Sequence, residues 1–169
     1  MYSASNAAKS CQGLEQRING ARIEAVGHDR KRELPLLLLG DEQEEMIDRY
    51  LERGDMFALR TDGRTLAVIV VTDEGEGTLE IKNLAVLPEV QGRGYGRAMI
   101  EFVAAHYRER FDTLLVGTGD SPLTLPFYER CGFTRAYVVP DFFLRHYDHP
   151  IVEAGVQLRD MVYLKRRIE

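Results

Sequence analysis

Residues 86 to 97, VLPEVQGRGYGR, set Gly92, Gly94 and Gly96 two apart among Gln91, Arg93, Tyr95 and Arg97. Glycines let backbone N–H groups converge on an anion without a Cβ in the way, and a helix start adds unpaired N–H groups and the positive end of its dipole. Arg93 and Arg97 can add charge-assisted hydrogen bonds to the same oxygens. Such a turn suits a pyrophosphate. Two common phosphate loops do not fit it. A Walker A loop ends in Gly-Lys before Ser or Thr, and the chain has no Gly-Lys pair. A dinucleotide fingerprint needs GxGxxG after the first strand of a βαβ unit. Here the glycine spacing is one residue short and the preceding strand lies mid-chain.

The turn needs a strand before it and a helix after it. TLEIKNLAVLP, residues 78 to 88, reads as that strand, and residues 94 to 111 read as a helix whose Ile100, Val103, Ala104 and Tyr107 share one face. Upstream, residues 21 to 27 read as a short strand, and two helices follow, broken near Gly40 and stopped at Gly54. The acidic run DEQEE reads as the solvated start of the second helix, favoured by the dipole. Residues 55 to 75 hold two strands joined at Asp62-Gly63, a strong hairpin signal, and a turn over residues 74 to 77 completes an antiparallel meander. Downstream come a strand over 112 to 119, a short helix in SPLTLPFYERCGF closed by Gly132, and two final strands, TRAYVV and GVQLRDMVYLKR. Asp120 or Ser121 is expected to cap the short helix, with Pro122 in its first position and Pro126 kinking it.

A chain of 169 residues at 44% hydrophobic content supports one domain. The expected division is a poorly ordered or weakly helical segment over 1–20 and a single domain over 21–169. A net charge of -5 with scattered arginines leaves no basic face for nucleic acid. The longest wholly apolar run, Leu66 to Val71, is far below the ~20 residues of a membrane span, and MYSASNAAKSCQG lacks the apolar stretch of a signal peptide. A soluble, cytoplasmic protein with reduced thiols is expected, because Cys11 and Cys131 form no CxxC.

The stretch LEIKNLAVLPEVQGRGYGRAMIEFV resembles the core motif of the GNAT superfamily of acetyl-CoA-dependent N-acetyltransferases, with PFYERCGF as a second motif in the right order. The element order agrees over about residues 22 to 168. The resemblance implies an α+β GNAT fold: a mixed, mostly antiparallel twisted sheet of six to seven strands, flanked by helices and splayed between the fourth and fifth strands. It implies acetyl-CoA as co-substrate, no metal, a primary amine on a small molecule or a protein as acceptor, and a homodimer; charge and hydropathy imply no nucleic-acid or membrane partner. An acyl-CoA-binding sensor without turnover is the alternative.

Transfer to an amine requires a neutral nucleophile, and holding a lysine-like amine neutral at pH 7 costs about 3.4 pK units unless a base or the surroundings help. By resemblance Glu80 is the candidate base; its other reading is an outward strand residue paired with Lys82. The resemblance gives the Leu84 N–H to the thioester carbonyl, Ala85 and Val86 to the pantetheine arm, and Gln91 through Arg97 to the phosphates. Tyr128 matches a general acid near the sulfur, or is a core tyrosine. Ser121 joins the cofactor group, although many relatives have asparagine at the start of this helix where this chain has Asp120-Ser121-Pro122. Cys131 reads as a core or cavity thiol, which favours direct transfer. Asp141, His146, Tyr147 and Glu153 are candidates for reading the acceptor. His146 and His149 are spaced HxxH, which reads as a solvated loop or acceptor rim in preference to a metal site.

Overall fold

The computed structural model describes residues 17–169. The segment expected to be poorly ordered lies mostly outside the described residues, as does Cys11. Ten strands and five helices follow in chain order: β1 Arg17–Ile18, β2 Ala21–Ala25, α1 Leu34–Gly40, α2 Glu44–Asp48, β3 Asp55–Thr61, β4 Arg64–Gly75, β5 Thr78–Val86, α3 Tyr95–Tyr107, β6 Thr113–Gly119, α4 Thr124–Arg130, β7 Thr134–Val139, α5 Phe142–His146, β8 Val152–Glu153, β9 Val156–Gln157 and β10 Met161–Arg167. One sheet has the order β1-β2-β3-β4-β5-β6-β10-β7, and β8 and β9 form a separate ribbon. Every neighbouring pair in the large sheet is antiparallel except β5 with β6, which the α3 crossover makes parallel. The fold is the expected α+β class, with seven principal strands extended by the two-residue β1.

The β3–β4 hairpin shows how local chemistry sets register. Asp62 (φ 49°) and Gly63 (φ 72°) both occupy the left-handed region, as a two-residue turn matched to strand twist requires. Replacing Gly63 by alanine should cost about 1 kcal/mol, since a Cβ is disfavoured at that φ. Urea denaturation would read this as a lower midpoint with an unchanged slope.

The run Leu66 to Val71 is continuous rather than alternating because both faces of β4 are covered. Ala67, Ile69 and Val71 join α3 and α4 in the larger core, and Val68 and Val70 join α1 and α2 in the smaller one. The same division applies to β3, with Phe57 and Leu59 on one side and Met56 and Ala58 on the other. A third cluster of Phe143, Ile151 and Leu158 holds α5 against the β8–β9 ribbon.

Several elements depart from the sequence reading. α2 ends at Asp48 and residues 49–53 form turns before Gly54, and α3 ends at Tyr107, with the chain turning so that Phe111 N–H meets the Tyr107 carbonyl (3.1 Å). α5 carries no long apolar period and was not expected. The stretch expected as one last strand splits, residues 156–157 pairing with β8 and only Met161–Arg167 entering the sheet. Neither Asp120 nor Ser121 caps α4: the cap position is Leu123, without a side-chain bond. Pro122 precedes the helix. Pro126 falls in its first turn, where its missing N–H had no helical acceptor to lose, so no kink follows.

Candidate active site

The site is built around a change of phase in β5. Val70 pairs with Asn83 and Val71 with Ile81, leaving Lys82 as the extra residue of a β-bulge. Without it, alternation would send Leu79 and Ile81 to one face and Leu84 and Val86 to the other. The bulge puts all four against the same core and turns Asn83 and Ala85 toward α1. Pairing of β5 with β6 stops at Ile81 opposite Val116, although β5 continues to Val86 and β6 to Gly119. This is the expected splay between the fourth and fifth principal strands.

The splay leaves a strand edge facing a gap. The Leu87 N–H bonds the Leu66 carbonyl of β4 (2.9 Å). Backbone groups alternate between edges along a strand, so the N–H and C=O groups of Leu84 and Val86 point away from β4 into the gap. From that side Gln91 Nε2 donates to the Val86 carbonyl (3.0 Å), tying the glycine turn to the strand end.

Two cavities meet there. The larger, about 720 Å³, is lined by Val86, Gln91, Gly92, Gly94, Tyr95, Gly96 and Arg97 on one wall, and by Phe127, Arg130 and Cys131 on the other. Gly92 (φ 77°) and Gly94 (φ 84°) are left-handed, the latter at the start of α3. A Cβ on Gly96 would come within 3.1 Å of Phe127. Tyr95 has its ring in the core and offers the cavity its backbone. The smaller cavity, about 160 Å³, is lined by Gly40, Asp41, Lys82, Asn83, Gly117, Tyr147 and others. Leu84, Thr124, Tyr128, Leu39, Glu42 and Glu153 line both, so the two are chambers of one cleft.

The sequence candidates separate into three groups. Leu84, Val86, Gln91, Gly92, Gly94, Tyr95, Gly96, Arg97, Tyr128, Tyr147 and Glu153 all reach the cleft. Arg93 is exposed beside the turn without lining the cavity. Ala85 is packed toward α1. Ser121 is wholly buried and its Oγ accepts the Leu123 N–H (3.1 Å), so it shapes the turn before α4 and does not line the cleft. Asp141 accepts Arg159 Nε (2.7 Å) at the start of α5, and His146 is exposed against the Phe142 ring. Both stand away from the cleft. His149 contacts Asp148, and among the described residues no group of three His, Cys, Asp or Glu side chains is placed to hold a metal ion.

Glu80 lines neither cavity. It is 7% exposed, with Oε2 3.0 Å from Lys82 Nζ. Burial pushes its carboxyl up, and Lys82 partly offsets this. Tyr128 is buried and its hydroxyl forms no hydrogen bond among the described residues; burial, then the charges of Cys131 and Glu153, raise its pKa and keep the phenol protonated. Burial likewise raises the Cys131 thiol, the opposite of what a thiolate nucleophile requires.

Sequence reasoning missed Asp41 and Arg130. Asp41 was grouped with the solvated start of α2, but only Glu44 and Glu45 occupy that first turn, and Asp41 turns into the smaller cavity. It accepts the Tyr147 hydroxyl (2.8 Å) and, at longer range, the Tyr50 hydroxyl (3.4 Å). Asn83 Nδ2 in turn donates to Tyr50 (3.0 Å) and to the Leu37 carbonyl (2.9 Å). A signal existed in Gly40: a Cβ there would come within 2.3 Å of Asn83 Oδ1, so the glycine marks α1 packed tightly on β5. Arg130, at the end of α4, carried no spacing signal, because it joins Arg97 only through the fold.

A cleft with an anion-binding turn at one end, an unpaired strand edge along it and a small second chamber suits an enzyme that holds an extended phosphate-bearing donor and presents its far end to another molecule. Residues 52–135 match the acetyltransferase (GNAT) domain family. Over 146 residues the chain is 38% identical to the uncharacterized N-acetyltransferase YvbK of Bacillus subtilis, covering 85% of this chain and 94% of that protein. A GNAT family acetyltransferase from Elizabethkingia anophelis, with acetyl-CoA bound, is similar at a TM-score of 0.83 and 28% identity, over 89% of this chain and 99% of that one. A Bacillus subtilis acetyltransferase in complex with CoA gives a TM-score of 0.80 at 35% identity, over 88% and 99%. The chain belongs to the GNAT family of acetyltransferases.

Proposed function

We propose that the protein moves the acetyl group of acetyl-CoA to the primary amine of a small molecule, by direct attack while both are bound. The observation that carries this is the junction of the two cavities at Leu84 and Tyr128. The residues fit acetyl-CoA: left-handed glycines at a helix start and Arg97 suit the phosphates, and the exposed edge of β5 suits an arm bearing amides. The Leu84 N–H lies where it can polarise the thioester carbonyl, and one such donor contributes about 2.7–4 kcal/mol in enzymes where it has been removed. Tyr128 supplies the proton for the departing sulfur. Cys131, with its raised pKa, takes no acetyl group. A second cavity of about 160 Å³, below the ~300–1,000 Å³ of ordinary ligand pockets, supports a small acceptor. A sensor without turnover would have no use for it. Acetyl-CoA supply and a free thiol at Cys131 fit a cytoplasmic setting.

Calorimetry with acetyl-CoA, followed by thiol release across a panel of amines, tests the proposal. Absence of acetyl-CoA binding would end it. Glu80→Gln should leave kcat within about threefold, because a carboxylate held by Lys82 outside both cavities does not supply the ~10²–10⁴ of a general base. A hundredfold loss in that variant, with acetyl-CoA binding intact, would return the base role to Glu80.

A further inference from the structure

We propose that Asp41 is the acceptor-binding carboxylate and proton acceptor of the small cavity, and that the acceptor is a small cationic amine without a carboxylate of its own. This rests on the acetyl-transfer reading above and names the acceptor class for the same site. Asp41 lines the smaller cavity together with Leu84 and Tyr128, which also face the larger one. Its position is fixed from two sides, by the Tyr147 hydroxyl after α5 (2.8 Å) and, at longer range, by the Tyr50 hydroxyl after α2 (3.4 Å). Each bond takes one lone-pair direction on a different carboxylate oxygen, and of the roughly four directions of a carboxylate the rest are left for a ligand. Asn83 anchors Tyr50 from β5.

The charges around Asp41 favour a cation. Glu42 and Glu153 line both cavities, and Glu42 raises the Asp41 pKa by its charge. Among the described residues Lys82 is the only cation lining the small cavity, and it is already paired, with Glu80 at 3.0 Å and Glu74 at 3.8 Å. Three carboxylates facing one neutralised lysine attract an ammonium and repel a carboxylate. Burial also pushes Asp41 above the usual carboxylate range, opposed by the Tyr147 hydroxyl, the Gln43 N–H and Tyr50. A carboxylate so raised is a stronger proton acceptor than one in water.

The step balances as follows. One ammonium proton passes to Asp41, leaving R–NH₂. The nitrogen lone pair forms the C–N bond to the acetyl carbon, and the C–S bond breaks with its electron pair going to sulfur. A second nitrogen proton is relayed by Tyr128 to sulfur, giving the thiol. Asp41 then releases its proton to solvent.

The test measures propylamine and 1,3-diaminopropane, with β-alanine as the carboxylate-bearing control, for binding to the CoA-loaded protein by calorimetry and for turnover with acetyl-CoA. Asp41→Asn should bind acetyl-CoA as the parent does and lose about 100-fold in kcat/KM, together with amine binding. Its pH profile should lack the acidic limb, because activity requires ionised Asp41 and falls as pH drops through the raised pKa. Tyr147→Phe removes a donor that holds that pKa down, so the limb should move to higher pH by about half to one pH unit. A merely structural tyrosine would lower activity without moving the limb. Binding of amines without turnover, abolished in Asp41→Asn, would support Asp41 recognition while overturning transfer. Equal activity of Asp41→Asn and parent would overturn Asp41 and leave transfer standing. If neither cationic amine binds, or β-alanine does equally well, the assignment of acceptor class is wrong.

Discussion

A Gly94→Glu variant should fold and lose at least about 100-fold in acetyl-CoA affinity. Gly94 opens α3 at φ 84°, and a Cβ there meets nothing within 4 Å. The substitution therefore causes no clash within the protein, only the strain of a side chain in left-handed backbone, about 1–2 kcal/mol. What changes is the charge at the turn, where a carboxylate is added beside the phosphates. Like charges about 4–5 Å apart near a surface repel by roughly 3–4 kcal/mol, and the loss of 100-fold corresponds to about 2.7 kcal/mol. Gly94→Ala carries the strain without the charge and should lose less than about tenfold. Raising the salt should recover part of the glutamate loss and none of the alanine loss, since only repulsion is screened. Calorimetry of the three proteins at two salt concentrations checks this. Equal losses in both variants would mean that backbone conformation alone governs the turn, and no loss in either would place the phosphates elsewhere.

What could be read from residues alone divides along physical lines. The meander, the glycine turn and α3 were legible because their signals are local: Asp62-Gly63 needs left-handed backbone, and Ile100, Val103 and Tyr107 repeat at helical spacing. One wall of the cofactor half of the cleft follows from one contiguous segment, residues 84 to 97, so a linear motif describes it, while the other wall comes from α4 and Cys131. The acceptor half has no such segment. Asp41, Asn83, Tyr147 and Glu153 come from α1's end, β5, α5's end and β8, and no linear pattern joins them. The placing of Glu80 beside Lys82 and outside both cavities has the same origin. The bulge residue, Lys82, is set by pairing with β4 and carries no local signal. Which carboxylate faces the gap depends on that one residue. Asp41 was misread for a related reason: next to Glu42, Glu44 and Glu45 it looks like one more solvated charge, and only the packing of Gly40 on Asn83 turns it inward.

Tyr128→Phe should lower kcat by about 100-fold near pH 7, at the low end of general acid–base effects, while leaving stability unchanged or slightly raised. The phenol is buried with no hydrogen bond among the described residues. Tyr128 lines both cavities, so removing its hydroxyl leaves no buried partner unsatisfied, and the ring still packs against Phe127 and Phe133. The kinetic cost should depend on pH in a particular direction. A thiol of the cysteine kind has a pKa near 8.5, so above roughly that pH the sulfur leaves as thiolate and the missing donor matters less. The gap between variant and parent should therefore narrow as pH rises. Because burial holds the parent's Tyr128 well above its ordinary pKa, the parent keeps its donor across that range and does not cause the narrowing. Steady-state kinetics from about pH 6 to 9.5, with thermal melts of both proteins, checks both claims. A constant gap at every pH, joined to a lower melting temperature, would make Tyr128 a packing residue. Proton delivery to sulfur would then fall to water admitted through the junction of the two cavities.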